Sequence, residues 1–329
     1  MLKLVINEFN KYFNRLGTYI MLGIIVAFML LGVILNMQFG SKEDNKSYSD
    51  QWKTEVKEDI TKYQQRLAEI AKKPQDKKSF KEITDEMTLG KRLEELQFYL
   101  KKDVQPPPTN NFYQNLLDTG GFASLVTIMM IIICSGLMAR EHQQGTIKLL
   151  LIRPASRLKI FFSKYIFLMI ASLIFLLFTY LVSAIIGLFT SKLNPTAELA
   201  VQGKKGMKMI NVFELLGQQL FANLIFILTF AIVAYALSVI FKNTALSLGV
   251  TFALMFFGDL VIMFLQGKTK LLEYLWPANW DLSQYLPNNT TELVDKDLSF
   301  VFSLTYNIVI LVIITAIAAW IFKKRDVAN

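Results

Sequence analysis

Six stretches of the chain are apolar almost without interruption, and none has the spacing of a helix that buries one face and wets the other. They run from Gly17 to Met37, Thr119 to Ala139, Ile160 to Phe189, Val212 to Phe241, Thr244 to Gln266 and Phe300 to Phe322. A helix needs about 20 mostly apolar residues to cross roughly 30 Å of hydrocarbon. Each block therefore predicts a membrane span, with boundaries at 17–39, 119–139, 160–189, 212–241, 244–266 and 300–322. Spans 3 and 4 are long enough to tilt, kink or project beyond the bilayer. The first block exceeds a signal-peptide core and no small-x-small cleavage site follows it, so it is read as a retained span.

The segments between the blocks carry other patterns. In residues 1–16, Leu2, Val5, Phe9, Tyr12, Phe13 and Leu16 recur at three- and four-residue intervals with Lys3, Asn7, Lys11 and Arg15 between them. That is the signature of an amphipathic helix in the membrane interface. Residues 40–118 hold two more helical patterns, one carried by Trp52, Val56, Ile60, Tyr63, Leu67 and Ile70, the other by Phe80, Ile83, Met87, Leu93, Leu96 and Leu100. Pro74 falls between them and Pro106-Pro107-Pro108 follows, which predicts an antiparallel helical hairpin ending in a stiff spacer. Residues 190–211 are expected to be a loop. Residues 267–299 contain Trp276, Trp280 and Tyr285 beside prolines, which predicts short surface or re-entrant helices. The fold class expected is an all-α membrane protein.

Composition agrees: of 329 residues 53% are hydrophobic and 19% charged. The net charge of +9 matters for where it falls. Residues 41–118 hold 15 basic and 15 acidic side chains, whereas the two termini, the 140–159 loop and the Lys242-Asn243 turn are strongly basic. By the positive-inside rule the termini and those loops face the cytoplasm, the hairpin is extracellular, and 323–329 is a cytoplasmic tail. The expected location is a bacterial plasma membrane, multi-pass, and the basic residues meet anionic lipid rather than nucleic acid.

Candidate chemistry is sparse. The single cysteine, Cys134, excludes a disulfide framework, and the single histidine, His142, leaves no metal-ligand set. No hydrolase motif is present. Gly267-Lys268-Thr269 resembles the end of an ATP-binding loop, but Ile262 stands where the first glycine belongs and no strand precedes it. The chain is therefore expected not to be an enzyme, with no cofactor of its own. Asp259, inside span 5, is a possible intramembrane polar site for a cation or proton, unless it is hydrated or paired. The 140–159 loop offers a short apolar helix around Leu149 and Leu150, ended by Pro154 and ringed by Arg153, Arg157, Lys159 and Lys164. That suits either docking of a soluble partner or adsorption to lipid.

Glu141, Gly145-Thr146, Leu149-Leu150, Pro154, Ser156-Arg157 and Lys164 resemble the cytoplasmic loop between spans 2 and 3 of ABC-2-type permeases, the membrane subunits of a class of ABC exporters. Six spans, inward termini and the amphipathic N-terminal helix are similar too. The resemblance implies a coupling helix over 141–152 docked on a separate ABC ATPase subunit through Glu141, Gly145, Thr146, Leu149, Leu150, Arg153, Pro154 and Arg157, with residues 1–16 touching it as well. It also implies a second permease, as homodimer or heterodimer, with ATP and Mg on the ATPase partner. The cargo implied is amphipathic, lipid-like, a peptide or a drug, or Na+. A membrane sensor with the hairpin as ligand module and an ion-coupled transporter using Asp259 stand as alternatives.

Overall fold

The computed structural model describes residues 1–39, 46–74, 78–146, 156–193, 196–203, 206–265, 270–287 and 298–324. Helix α1 is Leu2–Phe13 and α2 is Leu16–Phe39. Helices α3 (Trp52–Ala71) and α4 (Phe80–Lys102) follow, then α5 (Phe112–Asp118), α6 (Ala123–Ser135) and α7 (Ala139–Gln143). Helix α8 is Arg157–Thr190, α9 is Val212–Phe241, α10 is Thr244–Leu265 and α11 is Phe300–Lys324. Among the described residues, six helical segments are long and apolar enough to cross a membrane, and each falls on one of the six apolar blocks. Spans 1 and 3 to 6 are α2, α8, α9, α10 and α11; span 2 runs through α5, α6 and α7.

Span 4 (α9) is the axis of the bundle, packing against α6, α8, α10 and α11. Lipid offers apolar side chains no hydrophobic reason to associate, so packing and hydrogen bonds must hold the spans together. The shared core is built accordingly from Met130, Cys134, Phe161, Phe175, Phe230 and Tyr235. Span 1 leans on this core through Ile25 and Met29, with Met21 and Leu22 partly buried beside them, and most of its remaining length is exposed.

Span 2 is broken twice, and both breaks have local causes. A 3-10 turn at Thr119–Phe122 interrupts it at Gly120 and Gly121. A Cβ on Gly120 would collide with Gln219 of span 4, whose Nε2 donates to the Leu117 carbonyl at 2.7 Å. A second turn at residues 136–138 separates α6 from α7. There Ser238 Oγ, also on span 4, accepts from the backbone N–H of Met138 at 3.1 Å and of Ala139 at 2.8 Å. A broken helix is tolerated in a membrane where neighbours take up the freed backbone groups, and span 4 does so at both breaks.

At one end of the bundle, α3 and α4 form an antiparallel hairpin sealed by Val56, Tyr63, Leu96 and Tyr48. Ser79 caps α4 in a reciprocal box with Glu82, and Asp103 ends it in a left-handed conformation at φ 57°. Residues 190–211, expected to be a loop, contain an antiparallel ribbon of β1 (Glu198–Gly203) and β2 (Gly206–Asn211), in register Leu199↔Ile210 and Val201↔Lys208. The all-α expectation is corrected to that extent. Gly206 opens β2 at φ 108°, a conformation that most side chains disfavour. Leu199, Val201 and Ile210 bury their inner face against Leu117, Val212 and Leu215, so the ribbon rests on span ends rather than in solvent.

Candidate functional site

At the other end of the bundle, four charged side chains from three separate helices meet, three of them out of water. Lys164 lies seven residues into α8, roughly 10 Å along the helix at about 1.5 Å per residue. Its side chain is 0% exposed. Lys164 Nζ donates to Glu8 Oε1 and to Glu141 Oε1, each at 2.7 Å. Lys11 Nζ, partly exposed, donates to the same Glu141 oxygen at 2.6 Å.

The elements explain the convergence. In α1, Val5, Glu8 and Tyr12 share one face at helical spacing and are all buried. Tyr12 stacks on Phe167 at 5.1 Å between centroids and Phe9 meets the same ring edge-on at 4.9 Å, so α1 is clamped along α8 with Glu8 opposite Lys164. Burial pushes the Tyr12 phenol well above its ordinary range, and the Glu8 carboxylate adds to that. Glu141 arrives on α7, whose position is fixed by Ser238 at its entry. The two acids and two lysines balance in charge. An isolated charge at that depth costs several kcal/mol, and each one here has an opposite partner. The second oxygens of Glu8 and Glu141 are buried and have no hydrogen-bond partner among the described residues.

Of the residues expected to dock an ATPase, Glu141 is 2% exposed and turned into this junction. Gly145 ends the α7 turn at φ 67°, with open space where a side chain would stand. Thr146 Oγ1 bonds the Glu141 carbonyl at 3.4 Å, and Arg157 opens α8 with Nη1 donating to the Lys323 carbonyl of span 6 at 3.3 Å. Leu149, Leu150, Arg153 and Pro154 lie outside the described residues. Sequence reasoning gave Lys164 only as a cation beside the 140–159 loop and as part of the likeness to permeases, and it gave Glu8 no role. The signal that could have found them is a lysine one helical repeat inside an apolar block, matched by an acid on the apolar face of α1.

Asp259 sits apart, on α10. Trp280 Nε1 donates to its Oδ1 at 3.3 Å, and the Trp280 ring lies against Gly258, where a Cβ would collide with it. The same indole meets Phe230, near the middle of span 4, at 4.9 Å between centroids. Residues 270–287 therefore fold back among spans 4, 5 and 6 as short 3-10 turns. They are held there by a second polar cluster. Trp276 Nε1 donates to Asn307 Oδ1 at 3.0 Å, Asn307 Nδ2 to the Asn279 carbonyl at 2.6 Å, and Ser303 Oγ to Asn279 Oδ1 at 2.6 Å. No group of three metal-ligating side chains occurs among the described residues.

Comparison with known sequences adds a family. The profile of the family described as "Protein of unknown function (DUF2705)" matches residues 83–328. The chain belongs to that family. Within reach of this DUF2705 chain is the "Uncharacterized protein YhcI" of Bacillus subtilis (strain 168), 30% identical over 332 residues and covering 100% of both chains. The "Uncharacterized membrane protein YdbK" of the same organism is 27% identical over 218 residues, 66% of this chain and 84% of that one. The family match begins within α4 and takes in α7, α8 and the Glu141–Lys164 contact, while α1 with Glu8 lies before it. Six apolar helices and a membrane-protein relative together make this a multi-pass membrane protein.

Proposed function

We propose that this DUF2705 chain is the membrane-spanning permease subunit of an ATP-driven exporter, with the termini and the 140–159 loop on the cytoplasmic side. The observation that carries the proposal is the buried Glu8–Lys164–Glu141 junction. It binds the N-terminal helix, α7 at the start of the expected 140–159 loop and span 3 into one mechanical body. A force applied to that loop by a soluble motor would reach α1 and α8 together, through charges that cannot separate without leaving a buried ion unpaired. ATP-driven closure of two ATPase subunits would then bias the bundle between two arrangements of its spans.

An ion-coupled transporter centred on Asp259 is less well supported, because one oxygen of that carboxylate is already hydrogen-bonded to Trp280. The cargo class is the one implied by the resemblance to ABC-2-type permeases, an amphipathic, lipid-like, peptide or drug substrate, or Na+.

Affinity purification of the full chain from its native cells tests the proposal. An ABC ATPase should co-elute with the wild-type protein and be lost from Leu150→Glu, while both chains keep the same elution volume and melting behaviour. Absence of any ATPase from the wild-type eluate, or its undiminished presence with Leu150→Glu, would sink the proposal.

A further inference from the structure

A cavity of about 380 Å³ opens between the first break of span 2, the first half of span 4 and the inserted 270–287 segment. Its polar lining is rich in acceptors and poor in donors. Asp118, the last residue of α5, and Asp281, which leads into a 3-10 turn, both line it, and both side chains keep accessible surface. One oxygen of each is engaged: Asp118 Oδ1 accepts from Gln114 Nε2 at 2.9 Å, and Asp281 Oδ1 from the Ser283 N–H at 2.8 Å. Their second oxygens meet no donor among the described residues. Asn223 of span 4 stands in the same wall and is only 5% exposed. Its Nδ2 donates to Tyr180 Oη at 3.2 Å, while its Oδ1 has no donor among the described residues and is not one of the atoms sealed away from the cavity. Acceptors so placed are nearly always satisfied in folded proteins, and here three of them share one cavity. Lys91 of α4 is the one cation in the lining, so the wall carries a net charge of −1.

We propose that this cavity binds a primary ammonium carried on a small apolar group. An ammonium has three N–H donors and no acceptor, which matches the three unmet oxygens of Asp118, Asp281 and Asn223, and its single positive charge matches the net charge of the wall. Charge-assisted bonds of this kind are about twice as strong as neutral ones. A bare metal ion fits less well. Hard cations such as calcium take six to eight oxygens at close range, no group of three metal-ligating side chains occurs among the described residues, and the volume is more than ten times the roughly 30 Å³ share of one water. Leu117, Leu215 and Phe226 line the remainder and give an apolar substituent somewhere to lie. A quaternary ammonium has the charge but lacks the donors that the oxygens require. The proposal goes beyond the exporter reading: the cavity binds its amine whether or not an ATPase docks, so either conclusion can fail alone.

The experiment titrates the full-length chain in detergent at pH 7 with 2-(4-fluorophenyl)ethylamine and follows the probe by 19F NMR. The amine should bind saturably, and 2-(4-fluorophenyl)ethanol and the trimethylammonium analogue of the probe should each bind at least about tenfold more weakly, the loss expected when charge-assisted contacts are removed. Asp118→Asn and Asp281→Asn keep an oxygen for Gln114 and for the Ser283 N–H, so each should weaken binding about tenfold with no change in melting temperature. Lys91→Met removes the competing cation and should tighten binding, a change that a merely structural role for these residues does not produce. No saturable binding, equal affinity for the amine and the alcohol, undiminished affinity in both aspartate variants, or weaker binding in Lys91→Met would overturn the proposal. Displacement of the probe by potassium chloride but not by choline chloride at the same ionic strength would assign the cavity to an alkali cation and overturn the amine.

Discussion

Lys164 sets the energetics of the basic end, because it is the one ammonium at the junction wholly removed from solvent and it serves two carboxylates at once. Lys164→Met leaves Glu141 with Lys11 alone and takes the cation from Glu8, so about 3–5 kcal/mol of stability should be lost, read as a fall in melting temperature of the detergent-purified chain. Glu8→Gln combined with Lys164→Met should recover part of that loss, since the acid left unpaired has gone. A double variant no better than Lys164→Met would show that the charges do not act as a pair. Ser238 works through geometry instead, one hydroxyl oxygen taking two backbone N–H groups at the break between α6 and α7. Ser238→Ala should cost about 1–3 kcal/mol by orphaning those donors, whereas Ser238→Thr, which retains the oxygen, should melt close to wild type. Neither device is legible in the linear order, because 156 positions separate Lys164 from Glu8 and Met138 stands 100 from Ser238. A serine in an apolar run carries no mark of which distant backbone it will cap.

Elements were legible to the degree that one dominant pattern specified them. The spans are, because an apolar run of that length has few other uses. The α3–α4 hairpin is as well, because Val56, Tyr63 and Leu96 fall on helical periods broken at Pro74. The β1–β2 ribbon is not. Its strands have six residues each, and β1 buries consecutive residues, Leu199 to Val201, rather than alternate ones. The α4 cap gives the hairpin a pH dependence. The Lys73 ammonium, and after it the backbone N–H of Ser79, hold the Glu82 carboxyl down to about 2. A carboxyl depressed in the folded state stabilises that state above its ordinary value near pH 4.3, and the contribution fades as pH falls toward about 2. Titration of 13C-labelled Glu82 by NMR should therefore give a midpoint near 2 in the full chain, rising most with Lys73→Gln and less with Ser79→Ala. A midpoint near 4.3 in the wild-type protein would show that the cap is open in solution.

Across the whole molecule, charge and architecture divide the chain into two unlike ends. The hairpin, the ribbon and the inserted 270–287 segment gather at one end, where residues 41–118 balance their charges, while the other end collects α1, α7, Arg157 and Lys323. Anionic lipid on the cytoplasmic leaflet favours the basic end there, with each nearby cation contributing on the order of 1 kcal/mol. The protein carries a convenient probe of that orientation, because its one native cysteine, Cys134, is 0% exposed in the core of span 2 and should stay silent toward a bulky reagent. Lys57→Cys places a thiol on the exposed face of α3, and Lys159→Cys places one in the first turn of α8 beside the junction. In intact cells a membrane-impermeant maleimide should label Lys57→Cys and leave Lys159→Cys untouched until the membrane is permeabilised, with the wild-type chain unlabelled throughout. The opposite pattern would invert the assignment of sides and put the 140–159 loop beyond reach of a cytoplasmic ATPase. Equal labelling at both positions in sealed cells would break the link between one-sided charge and orientation on which the exporter reading depends.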